Sequence, residues 1–138
     1  MTTKADPRLV QAMTALAQGQ AQQAESLCRS VLDERKRDDL AMAILAQICN
    51  ATGKYDEGLQ LITKAISKNN KRADYHGLLG DMLTTRGKFR EALGSYDKAT
   101  KLDPHHQGVI AGKANTWLRL NEPTKALNLV EPIAKKGN

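Results

Sequence analysis

Small and large apolar residues recur along this chain in a single frame. Small ones stand at Ala12, Ala46, Gly80 and Ala114, and a second set at Ala24, Gly58, Ala92 and Ala126. Larger apolar residues follow each set, at Cys49, Leu83 and Trp117, and at Cys28, Ile62, Tyr96 and Val130. Small positions let paired helices approach closely, and the larger ones fill the space between successive pairs. Between the two sets lie Gly19, Gly53, Gly87 and Asn121, each 34 residues from the next. Gly and Asn are what a turn between two helices requires. The chain therefore divides without insertion or deletion into 5–38, 39–72, 73–106 and 107–138, and each block predicts one helical hairpin. The expected helices are 7–18, 21–35, 39–52, 55–69, 73–86, 89–102, 107–120 and 123–135.

Polar punctuation supports the frame. Asp6-Pro7 reads as an N-cap followed by proline at the first helical position, and Asn121-Glu122-Pro123 repeats that logic before the last helix. Asp103-Pro104 stops the sixth helix, because the residue before proline disfavours helical geometry. Pro132 falls inside the last helix, where a lost hydrogen bond and a clash predict a kink or an end.

The third block, ADYHGLLGDMLTTRGKFREALGSYDKATKLDPHH, resembles the tetratricopeptide repeat through Leu79-Gly80, Leu83, Ala92, Tyr96, Ala99 and Pro104, with His76 as a departure. The second matches at Met42, Leu45-Ala46, Cys49, Ile62 and Ala65, departing at Gly58 and Asn70. The fourth matches at Ile110, Ala114, Trp117, Ala126, Val130 and Ile133, departing at Lys113. The first keeps Ala12, Ala15, Ala24, Cys28 and Val31. The resemblance implies an all-α fold: a right-handed superhelical solenoid of four antiparallel hairpins, forming one domain over residues 1–138. The wording AESLCRSVL and KALNLVEPIAKKG is loosely similar to the arrays that precede the sulfotransferase domain of some bacterial proteins, which would make this the noncatalytic part of a larger enzyme.

Composition agrees with helix. Apolar residues make up 41% of the chain and aromatics only 4%, and the recurrent Ala, Leu, Lys and Gln lose little conformational freedom in a helix. No apolar run approaches the roughly 20 residues that cross a bilayer, and the first residues lack the apolar segment of a signal peptide. A soluble, cytoplasmic chain without membrane insertion is expected. The net charge is +6, but the basic residues are spread among acidic ones apart from Arg35, Lys36 and Arg37, so a solvated surface is the reading. Cys28 and Cys49 fall at core positions and are expected as free thiols, with a disulfide or a reactive thiol as alternatives.

Candidate chemistry is sparse. There is no phosphate-binding loop, dinucleotide turn, nucleophile elbow or zinc spacing. His105 and His106 sit in a turn with no further ligands nearby. No catalytic set, metal site or cofactor is expected, and the chain reads as a noncatalytic interaction module. By the family's geometry the first helices line a concave groove, where Leu9, Met13, Gln47, Asn50, Asp81, Thr84, Asn115, Leu118 and Arg119 are the candidate ligand-binding residues. Chaperone-binding members hold a terminal carboxylate with Lys, Asn, Asn, Lys and Arg at positions here occupied by Leu9, Met13, Gln47, Gly77 and Asp81. None of those charges is present, which excludes that role. Arg119 is nearly alone as a basic groove residue, which argues against nucleic acid.

A protein or peptide partner remains. The amides and Asp81 can hydrogen-bond an extended backbone, while Leu9, Met13 and Leu118 accept apolar side chains. The last repeat also lacks a polar capping helix, so Ala126, Leu127, Val130 and Ile133 are expected to be exposed and to support self-association, or to be covered by further chain. A free-standing adaptor, the array of a larger enzyme and a self-assembling scaffold are the three readings left open.

Overall fold

The computed structural model describes residues 5–136, and the side chains of residues 5–132. Among the described residues there are eight α-helices and no strand. They are α1 (Pro7–Ala17), α2 (Ala21–Glu34), α3 (Asp39–Ala51), α4 (Tyr55–Lys68), α5 (Ala73–Thr85), α6 (Phe89–Leu102), α7 (Gln107–Arg119) and α8 (Pro123–Lys136). These form two compact units, Met1–Asn70 and Lys71–Asn138, each made of two hairpins.

The 34-residue frame becomes a set of identical helix ends. Gly19, Gly53, Gly87 and Asn121 hold φ of 77, 82, 78 and 62°, the left-handed conformation that glycine adopts without a Cβ penalty and asparagine tolerates best among the rest. The next residue in each turn reaches back to the helix: Gln20 N–H to Ala15 O at 2.8 Å, Lys54 to Cys49 at 2.8 Å, Lys88 to Leu83 at 2.9 Å and Glu122 to Trp117 at 2.8 Å. This is the Schellman closure, which satisfies carbonyls that the helix end leaves free. Asn121 therefore serves the end of α7.

Helix starts are polar. The Asp6 carboxylate accepts the Arg8 backbone N–H at 2.9 Å ahead of Pro7, and Asp38 accepts that of Ala41 at 2.9 Å. His106, read from sequence only as a turn residue, caps α7 by accepting the Val109 N–H on Nδ1 at 3.2 Å. Of the two outcomes expected at Pro132, a kink or an end, the second does not occur. The helix does not end there but runs on to Lys136, because Pro132 and Asn128, whose carbonyl loses its partner, are both exposed and water can take that bond.

In the first unit α3 packs on both α1 and α2. The small positions Ala12, Ala24 and Ala46 are fully buried, and Leu9, Val31, Leu45, Ile48 and the two cysteines close the core around them. Burying each larger aliphatic side chain is worth about 1.5–3 kcal/mol. Cys28 and Cys49 are free and buried, and desolvation raises both thiols to about 11. They stay protonated at neutral pH, as buried apolar-like residues do. On the surface Arg29 bridges Glu25 and Glu57, and Lys54 meets Glu25 at 3.0 Å, so much of the positive charge in this unit has an acidic neighbour.

The second unit repeats the plan, with α7 packed on α5 and α6. Here two glycines bring helices closer than alanine would. A Cβ on Gly77 would lie 2.9 Å from Val109 Cγ2, and one on Gly80 would lie 2.6 Å from Tyr96 Cε1. Tyr96 is 1% exposed and fills the space between α5, α6 and α7. The homologous Val130 on α8 is 36% exposed, because among the described residues no hairpin follows to cover it.

Candidate binding site

Four of the nine groove candidates meet at one place in the second unit. Asp81, Thr84 and Thr85 on α5, Tyr96 on α6, and Asn115 and Arg119 on α7 line a recess of about 240 Å³. Helical spacing explains the α7 pair: Asn115 and Arg119 are four residues apart and share a face. On α5, residues 81, 84 and 85 form the matching stripe.

Tyr96 organises the floor. Its hydroxyl donates to Asp81 Oδ1 at 2.6 Å, a short bond of the kind an ionised acceptor makes. Burial pushes the phenol pKa well up, Asp81 reinforces it, and the Thr84 and Thr116 hydroxyls act the other way. Those two hydroxyls stand 2.9 Å apart across the α5–α7 contact, and each also faces a carbonyl of its own helix, Gly80 at 2.9 Å and Gly112 at 2.8 Å; their two protons serve two of these three contacts at a time. Gly112 makes the arrangement possible. A Cβ there would stand 2.8 Å from both Asp81 Oδ1 and the Tyr96 hydroxyl.

Asp81 is exposed as a residue, yet its Oδ1 edge is enclosed by Tyr96 and α7. Desolvation raises its pKa above the ordinary carboxylate value, opposed by the Tyr96 hydrogen bond and by His106. The folded chain thus holds this proton more tightly than the unfolded chain. The carboxylate subtracts from stability above its folded pKa and stops doing so as pH falls through it. Asp81→Asn, which keeps an acceptor for Tyr96 without the charge, is expected to raise the melting temperature at neutral pH. The gain shrinks on acidification to about pH 4, where carboxylates begin to protonate. Differential scanning fluorimetry at the two pH values checks this, and a lower melting temperature for the variant at neutral pH would refute it.

Not every candidate presents a free side chain in the recess. Leu9 is a correction: it is 1% exposed and turned into the core, because it shares a helical stripe with Ala12 and Leu16. Thr84 lines the recess but is buried, with its hydroxyl committed to Thr116 and Gly80. In the first unit Met13 and Gln47 are exposed, and Asn50 is half-buried with its Oδ1 enclosed and unpaired. Leu118 is exposed outside the recess.

Of the self-association candidates, Ala126 is a second correction. It is buried against its own hairpin as one of the small close-approach positions, whereas Leu127 is 58% exposed. The side chain of Ile133 lies outside the described residues. Sequence reading assigned Tyr96 to packing and gave Gly112 no role. A buried tyrosine needs a partner for its hydroxyl, and that was the available signal.

A family model described as a tetratricopeptide repeat-like domain matches residues 4–118. The chain belongs to the tetratricopeptide-repeat family. The repeat array is 29% identical over 91 residues to human anaphase-promoting complex subunit 7, a match that takes in 66% of this chain and 16% of that protein. It thus spans only a small part of that relative's length. Two solved structures share the fold. A thermophilic tetratricopeptide-repeat protein of Thermus thermophilus superposes with a TM-score of 0.83 at 17% identity, over 90% of this chain and 70% of that one. Pseudomonas aeruginosa pilF gives 0.81 at 20% identity, over 91% of this chain and 57% of that one.

Among the described residues no three His, Cys, Asp or Glu side chains gather to hold a metal. No helix among them is long and apolar enough to cross a membrane.

Proposed function

We propose that this chain is a noncatalytic protein-interaction module, and that the recess between α5 and α7 anchors an extended peptide or protein segment. Repeats of this type present first-helix side chains as a binding surface, and a matched relative is named as a subunit of a protein complex. The observation that carries the reading is the state of the lining groups. Asp81, Asn115 and Arg119 line a common recess, and Asp81 Oδ2, the Asn115 amide and the Arg119 guanidinium have no hydrogen-bond or ion-pair partner among the described residues. Together they offer acceptors and donors in the mixture that a peptide backbone and its side chains require.

The test is selection from a displayed library of random 12-residue peptides. The chain is expected to enrich a related set of sequences. Binding of those sequences should fall at least about tenfold in a variant carrying Asp81→Ala, Asn115→Ala and Arg119→Ala, since charged hydrogen bonds contribute about 1.5–3 kcal/mol each. Circular dichroism confirms that the variant stays helical. Equal binding by the variant, or no enriched set at all, would remove the proposal.

A further inference from the structure

The chemistry of the recess selects among peptide side chains. We infer that it is a pocket for a lysine residue of the partner, with the lysine ammonium on Asp81 and the backbone carbonyl of the same residue on Arg119. This rests on the peptide-binding reading above and narrows it to one residue type.

The acceptor end argues for a compact cation. One carboxylate oxygen of Asp81 is already taken by the Tyr96 hydroxyl at 2.6 Å, and the other has no hydrogen-bond partner among the described residues, on a side chain that lines the recess. A guanidinium recognises a carboxylate best through two parallel bonds to both oxygens, an arrangement that the Tyr96 bond obstructs. An ammonium needs only one oxygen and brings two more donors. Acceptors for those stand nearby in the Asn115 side-chain carbonyl and the Thr85 hydroxyl, whose own proton is spent on the Asp81 backbone carbonyl at 3.0 Å.

The donor end argues against a bare cation or anion. Arg119 is not paired with Asp81, and its guanidinium lies over the Phe89 ring at 5.6 Å. A simple anion entering the recess meets Asp81, and a simple cation meets Arg119. A residue carrying a cation at one end and a carbonyl at the other satisfies both. Lysine in a peptide is such a residue, and its four-carbon stem separates the two groups by several bonds. A recess of about 240 Å³ has room for one side chain of that size. The missing Cβ of Gly112 leaves room for the Asp81–Tyr96 hydrogen bond itself, so bulk at residue 112 would displace the carboxylate that the ammonium is to meet.

The direct test is titration of the whole chain with Nα-acetyl-lysine methylamide, followed by amide proton–nitrogen correlation spectra. Saturable shifts are expected at Asp81, Thr85 and Asn115. Nα-acetyl-norleucine methylamide, which lacks the ammonium, should give none that saturate, and the arginine analogue should bind several-fold more weakly. Asp81→Asn should weaken the lysine probe about tenfold or more, and Asn115→Ala should weaken it less.

Equal shifts with norleucine, no saturable shift with lysine, or undiminished binding to Asp81→Asn would each overturn the lysine pocket. The library selection separates this from the broader proposal. Enriched peptides whose binding survives replacement of every lysine would leave peptide binding standing and remove the pocket. Saturable lysine-probe binding without any enriched peptide would do the reverse.

Discussion

Gly80→Val is expected to lower the stability of this chain by about 3 kcal/mol in a urea titration. A Cβ at residue 80 would lie 2.6 Å from Tyr96 Cε1 and 2.8 Å from Cδ1 and Cζ, well inside contact distance, and valine adds two methyl groups beyond it. The ring has nowhere to retreat. It is 1% exposed between three helices, and its hydroxyl is held on Asp81 at 2.6 Å. Replacing glycine inside a helix ordinarily gains up to about 1 kcal/mol in propensity, which is too little to offset the clash. A Gly80→Val midpoint within about 0.5 kcal/mol of the parent chain would show that α5 and α6 can separate freely, against this account.

Tyr96→Ala is expected to cost about 3–5 kcal/mol, the range for truncating a large buried aromatic. Gly80 provides no side chain to refill the space, so the cavity persists. Tyr96→Phe keeps the ring and removes only the hydroxyl. That leaves Asp81 Oδ1 without its donor on its enclosed edge, so the change should cost about 1–3 kcal/mol, while loosening the carboxylate that Tyr96 positions. Equilibrium unfolding of both variants separates the two roles of the residue. If alanine and phenylalanine cost the same, the ring contributes nothing beyond its hydroxyl. The two sites should also couple. Gly80→Ala is expected to cost less in a Tyr96→Leu background than in the parent chain, by more than the few tenths of a kcal/mol seen for independent sites.

These two residues also show where sequence reasoning reached and where it stopped. Both belong to the 34-residue frame, and their burial follows from it: all eight small positions, from Ala12 to Ala126, are buried. Helix limits agree to within one residue because the signals that set them are local. A left-handed Gly or Asn ends each first helix, and Asp6, Asp38 and Pro7 begin helices. Leu9 failed as a groove residue for a related reason. In the most degraded repeat the family's positions and the helix's own apolar stripe disagree, and burial of a leucine prevails.

What the amino-acid sequence determined by itself is therefore the repeat: which residues are helical, where the turns fall, and which positions are small enough for helices to meet. Those are properties of neighbours along the chain and of a fixed period. Tertiary structure alone decided that the Tyr96 hydroxyl crosses from α6 to Asp81 on α5, that Gly112 on α7 leaves room for it, and that Asn115 and Arg119 line the same recess. Spacing assigns a residue to a face of its helix. It does not say which polar atom of a packing residue meets which carboxylate across three helices, because that depends on interhelical distances set by the whole core.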